Sequence, residues 1–136
     1  MSFVGSGPLQ AAVFAALSAD APLGAIVGTA IYDAVPPGAL PPIYVRLGSE
    51  TAQDASDGTG GGALHRFTVS VITTQPGFAS AKQAGAAISD VLHDADLALS
   101  RGRLVSLRFE RARAQRIDSG AARQIDLRFA ARVQDD

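Results

Sequence analysis

The sequence predicts an α+β fold: an antiparallel sheet of about five strands, with an N-terminal helix and one long helix packed on it. Three stretches carry that prediction. In HRFTVSVITT, residues 65–74, Phe67, Val69 and Val71 alternate with Arg66, Thr68 and Ser70, the period-two signature of a half-buried strand. Gln75–Pro76–Gly77 stops it. The next stretch, FASAKQAGAAISDVLHDA, repeats apolar residues at Phe78, Ala81, Ala84/Gly85, Ile88, Leu92 and Ala95, which is one face of a helix. Finally, Arg103–Arg113 and Ala122–Val133 both alternate and are separated by the turn residues Ile117–Gly120, which makes an antiparallel C-terminal hairpin.

The remaining elements follow in chain order. Gly7–Pro8 starts the first helix, because proline in the first turn sacrifices no hydrogen bond; Ser6 or Gly7 caps it. Leu9, Ala12, Val13, Ala16 and Leu17 trace its apolar face up to Asp20. Pro22 ends that helix, and Leu23–Val27 forms one more short turn before Gly28. Ala30–Ala34 reads as a short strand. The segment VPPGALPP then holds four of the seven prolines, which lack amide donors and make a stiff connector. Ile43–Leu47 is a strand with Ile43, Val45 and Leu47 on one face and Tyr44 and Arg46 on the other. Gly48–Gly62 has no period, is rich in Gly, Asp and Thr, and reads as a flexible loop joining two strands. Leu97–Gly102 is a turn. In the hairpin, Val105, Leu107 and Phe109 are expected inward, with Ser106, Arg108 and Glu110 outward. Its second strand turns Ile125, Leu127, Phe129, Ala131 and Val133 inward, and Asp126, Arg128 and Arg132 outward. At 136 residues the chain reads as one domain, without internal repeats.

Composition removes several function classes. The net charge is −1, which gives no global case for nucleic-acid binding, and there is no cysteine for disulfides or thiolate chemistry. The N-terminus MSFVGSGPLQ lacks the basic and apolar segments of a signal peptide, and no apolar run reaches the roughly 20 residues of a membrane span. Synthesis in a cytoplasm is the expectation. Charge is nonetheless unevenly placed. Residues 1–100 hold three basic residues against eight acidic ones, whereas residues 101–132 hold nine arginines against Glu110, Asp118 and Asp126. One reading is that arginines coat the solvent face of the strands. The other is complementary charge between neighbouring subunits.

No reaction chemistry emerges. His65 and His93 lack a second ligand at metal-binding spacing, and His93 also suits the negative end of its helix. No serine sits in a Gly-x-Ser-x-Gly elbow. The glycine run at Gly58–Gly62 lacks the Gly-Lys-Ser/Thr ending of a phosphate loop, and the acids around it would repel phosphate. The expectation is a protein without catalytic, cofactor or metal site. In the C-terminal strands, Arg103, Arg111 and Arg113 share the alternation of Val105, Leu107 and Phe109, while Arg108, Arg128 and Arg132 face outward. Phe109 and Phe129 are core by alternation, so no aromatic is free to stack on bases.

Local signatures across nearly the whole chain resemble one family. They are the LQAAVFAALSAD helix, the Leu23–Gly28 turn, and Ile31-Tyr32-Asp33 followed by Val35-Pro36-Pro37-Gly38 and Leu40-Pro41-Pro42, running into Tyr44-Val45-Arg46-Leu47-Gly48. His65-x-Phe67-x-Val69-x-Val71, Val91-Leu92-His93-Asp94-Ala95, Leu97-x-Leu99 and the Arg116-Ile117-Asp118-Ser119-Gly120 turn complete the set. This resembles the tail-completion, or tail terminator, proteins of long-tailed phages, prophages and the gene transfer agents of alphaproteobacteria. One departure is Ile43, which intervenes where the family often has an aromatic directly after the proline run. The resemblance implies a structural virion protein at the particle neck. It implies a hexameric ring that caps the tail tube, receives the head-completion (stopper) protein on its other face, and lets DNA pass through its centre without sequence-specific binding. No membrane and no cofactor belong to that picture. On charge distribution, Arg108, Arg111, Arg113 and Arg128 are the candidate basic interface residues, and Glu50, Asp54 and Asp57 the acidic ones. Competing readings are another neck component, such as a head–tail joining or tube-like protein, and a small ligand-binding domain.

Overall fold

The computed structural model describes residues 3–56 and 60–135. Two helices open the chain, α1 (Ser6–Ala19) and α2 (Ala21–Val27), followed by strands β1 (Ile31–Tyr32), β2 (Ile43–Asp54) and β3 (Gly62–Thr73). Helix α3 (Ala79–Leu92) leads to β4 (Arg103–Ile117), a 3-10 turn at Asp118–Gly120, and β5 (Ala122–Gln134). The strands form one sheet in the order β1-β2-β3-β5-β4, antiparallel except for β1, which runs parallel to β2.

All three helices cover one face of that sheet. Their Leu9, Val13, Leu17, Leu23, Ala81, Ala84 and Ile88 share one core with Val45, Val69, Val71, Leu127 and Phe129, the helix-side residues of three strands. The helical period in α3 and the period of two in β3 and β5 each aim one apolar set at the other. Phe129 lies between Phe67, stacked at 5.6 Å, and Phe109, edge-on at 5.8 Å. Asp20 separates α1 from α2, which lie at 78° to one another, and its carboxylate accepts the Leu23 N–H at 3.0 Å as an N-cap. Among the described residues, no single helix is long and apolar enough to cross a membrane.

Four expectations need correction. The N-cap of α1 is Gly5; Ser6 lies within the helix and turns its hydroxyl to Glu50 instead. Pro22 does not end α1, because the chain already breaks at Asp20 and Pro22 sits in the first turn of α2. Most of the stretch expected as a loop is strand: β2 runs to Asp54 and β3 begins at Gly62, so pairing holds Thr51 to Arg66 and Asp54 to Ala63. A shift between Leu47 and Glu50 hides the alternation there. Lastly, Val105 points outward, 44% exposed, and Leu104 takes the core place. Register shifts between Leu104 and Ser106 and between Phe109 and Arg111 each add one residue to β4 and reverse its alternation.

Candidate interaction surface on the open sheet face

The face away from the helices is lined by the outward residues of four strands. Register sets them in rows across the sheet. One row runs Arg46, Ser70, Asp126 and Arg113 across β2, β3, β5 and β4. The next places Thr68, Arg128 and Arg111 side by side, and a third Thr51, Arg66, Ala130 and Arg108. The second bulge in β4 is what brings Arg111 and Arg113 here. Without it they would share the face of Leu107 and Phe109, as the alternation had implied.

Arg46, Arg111, Arg113 and Arg128 border a groove of about 350 Å³ floored by Thr68, Ser70 and Asp126. Asp126 accepts from Ser70 Oγ at 2.6 Å and from Gln124 Nε2 at 2.8 Å. Glu110, the bulge residue, accepts from Arg66 Nε at 3.2 Å and from Arg128 Nε at 3.1 Å. Among the described residues, Arg46, Arg111 and Arg113 carry no ion pair. Arg111 and Arg128 are direct cross-strand neighbours of like charge, an arrangement that weakens a sheet unless an anion lies between them. The groove is thus a positively charged surface with capacity for carboxylate or phosphate.

The sequence-derived candidates divide accordingly. Arg111, Arg113 and Arg128 come together at the groove. Arg108 lies on the same face, one row on, with Nη1 4.0 Å from Asp94 Oδ1 in a highly exposed pair of little energetic weight. Glu50 is on the helix side, where it accepts from Ser6 Oγ at 2.8 Å and lies 3.0 Å from His65 Nδ1. Asp54 ends β2. The Ser56 hydroxyl, donating at 2.7 Å, holds its carboxyl below the usual carboxylate range. Asp57 lies outside the described residues. Arg46, Arg66 and Glu110 belong to the surface although charge counting did not single them out. For Arg46, the alternation with Ile43, Val45 and Leu47 was the available signal.

His93 has a structural partner. Its Nδ1 accepts the Phe109 N–H at 3.0 Å, and the adjacent Asp94 N–H donates to the Leu107 carbonyl at 2.7 Å. The chain leaving α3 therefore occupies part of the outer edge of β4. Among the described residues, no group of three or more His, Asp or Glu side chains is placed to hold a metal ion.

The family described as tail completion protein gp17 matches residues 11–134, nearly the full chain and every strand of the sheet. The chain belongs to this family. A chain of the solved structure described as the virion of a native gene transfer agent (GTA) particle is 59% identical to it, with a TM-score of 0.93 over 98% of this chain and 99% of that one. A comparison with curated proteins gives no match.

Proposed function

We propose that this protein is a structural virion component, acting as one domain, that closes the head-proximal end of a tail tube as a ring. In this reading one face of the ring meets the tube, the other receives the head-completion protein, and DNA passes through the middle. The role is non-catalytic, and its place is the neck of a gene-transfer-agent-like particle. The observation that carries it is 59% identity, over essentially full length on both sides, to a chain of a GTA virion, within a tail-completion family.

The open sheet face supports an assembly role. Among the described residues three arginines around one groove carry no ion pair, which leaves them available to an anionic partner; Arg108, Arg111, Arg113 and Arg128 are the residues proposed for contacts between subunits or with the next ring. On the acidic side, Asp54 lies at the end of β2, where the Ser56 hydroxyl donates to it. Glu50 contributes mainly to the fold, because Ser6 and His65 already engage it. Gly48–Gly62, which comprises the end of β2 and the connection to β3, is the segment proposed to dock on tube or stopper.

The solution mass of the purified protein, measured by light scattering with and without purified tails, tests the reading. A six-fold ring, or a monomer that becomes one only at a tail end, is the expected outcome. A stable monomer indifferent to tails would reduce the likeness to shared fold, and rings that bind heads but not tails would move the protein elsewhere in the neck.

A further inference from the structure

The surface of α1 carries an exposed aromatic that the core does not use. Leu9, Val13 and Leu17 point inward, which leaves Phe14 on the flank, 37% exposed, beside Ala11 and Asp33. Asp33 accepts from Gln10 Nε2 at 2.6 Å, which fixes a carboxylate next to the ring. This patch lies at the β1 edge of the sheet, where α1 packs on β1.

At the opposite edge is an apolar groove. Beyond its second bulge, β4 turns Ala112 and Ala114 to the helix side opposite Leu127 and Ile125, yet α3 leaves both alanines exposed. Gly85 of α3, Phe109, Ala112, Ala114 and Leu127 line a hollow of about 320 Å³, with Lys82 at its rim. An apolar cavity of about 150 Å³ already accepts benzene, so an aromatic side chain fits. Lys82 lies 5.6 Å from the Phe78 ring and, among the described residues, has no carboxylate partner.

We propose that the occupant of this groove is a second copy of the chain: Phe14 of one subunit seats against Ala112 and Leu127 of the next, and Asp33 meets Lys82. Charge complementarity selects this partner, because the Phe14 patch carries the carboxylate and the groove rim the ammonium. Position selects it too. The two patches are on opposite sheet edges, four strand spacings or about 19 Å apart, so the contact is heterologous, the kind from which a ring is built when its rotation closes. Direct strand pairing along β4 is disfavoured, since two bulges and the His93–Asp94 segment interrupt its free edge. The inference rests on the ring reading and adds the identity of the subunit contact, separate from the arginine face.

Light scattering with tails, on wild type and on Phe14→Ser, Asp33→Lys, Lys82→Asp and the Asp33→Lys/Lys82→Asp double variant, provides the test, with circular dichroism to verify folding. Phe14→Ser and each single charge reversal are expected to raise the concentration for half-assembly at least tenfold, and the double reversal to restore most of it. Rings of wild-type strength from folded Phe14→Ser overturn the proposal while leaving the ring reading intact. A double variant no better than the singles overturns the Asp33–Lys82 contact, and a wild type that never forms rings overturns both readings.

Discussion

His65 and Glu50 show what a polar pair inside this fold does. His65 is fully buried, and its Nδ1 reaches a carboxylate that Ser6 Oγ also engages. The three residues join the start of α1, β2 and β3, so a helix terminus is fixed to the sheet by hydrogen bonds. Removing one member strands the others. Glu50→Ala is expected to cost about 2 kcal/mol, read from urea unfolding; an unchanged midpoint would show that the pair contributes nothing net. Two glycines separate conformational strain from steric exclusion. Gly77 (φ 75°) and Gly102 (φ 81°) both adopt left-handed backbone, but a Cβ on Gly77 meets open space, whereas one on Gly102 would lie 2.6 Å from the Gln134 carbonyl oxygen. Gly77→Ala should cost about 1 kcal/mol from the backbone alone. Gly102→Ala should cost clearly more, because the turn before β4 must move off β5; equal thermal midpoints would refute that difference.

At the level of elements, β4 and β5 behave differently although both read as alternating strands. β5 alternates without a break from Ile125 onward and supplies Phe129, which is fully buried between Phe67 and Phe109. Phe129→Ala should cost about 3–5 kcal/mol in chemical denaturation, through lost burial and the cavity left among rings. β4 is the edge strand, and its two bulges reset which residues face the core. An edge must also be kept from pairing with other chains, which the bulges and the segment after α3 both serve. His93→Ala removes the acceptor for the Phe109 N–H. Hydrogen exchange at that amide should accelerate while the core of β5 stays protected, and unaltered protection would refute the capping role.

For the whole molecule, the sheet separates two kinds of surface. One face is buried under helices; the other presents arginines in rows, of which Arg66 and Arg128 pair with Glu110. Reversing two of Arg108, Arg111 and Arg113 to Glu should leave the monomer folded, since all three are exposed, and abolish ring assembly or tail joining in a particle-yield assay. Unaffected yield would exclude the arginine face from assembly. Trimming the β2–β3 connection should likewise leave a folded monomer that fails to attach to tails. Contacts at the arginine groove should weaken as salt rises, because exposed charge is screened beyond about 8 Å at physiological ionic strength. The proposed Phe14 contact, in which apolar packing adds to a single Asp33–Lys82 pair, should be less sensitive.

The local periods determined the helices, the strand order along the chain, and the core faces of α1, α3, β3 and β5, because burial of one side of a regular element is written in residues three, four or two apart. The proline run and the turn residues were equally visible and carried the family resemblance, and the uneven arginines singled out the interface candidates. Tertiary structure alone decided the rest. Bulges have no local signature, so the inward place of Leu104 and the open-face positions of Arg111 and Arg113 depended on pairing with β5. Strand from Gly48 to Asp54 needed β3 as a template, since Gly, Ser and Asp have little strand preference of their own. Glu50 lay in a run of acids in sequence and beside His65 in space, because a shift in β2 turns it to the helices. Which charges converge is a property of register across four strands, and register is fixed by the whole sheet together.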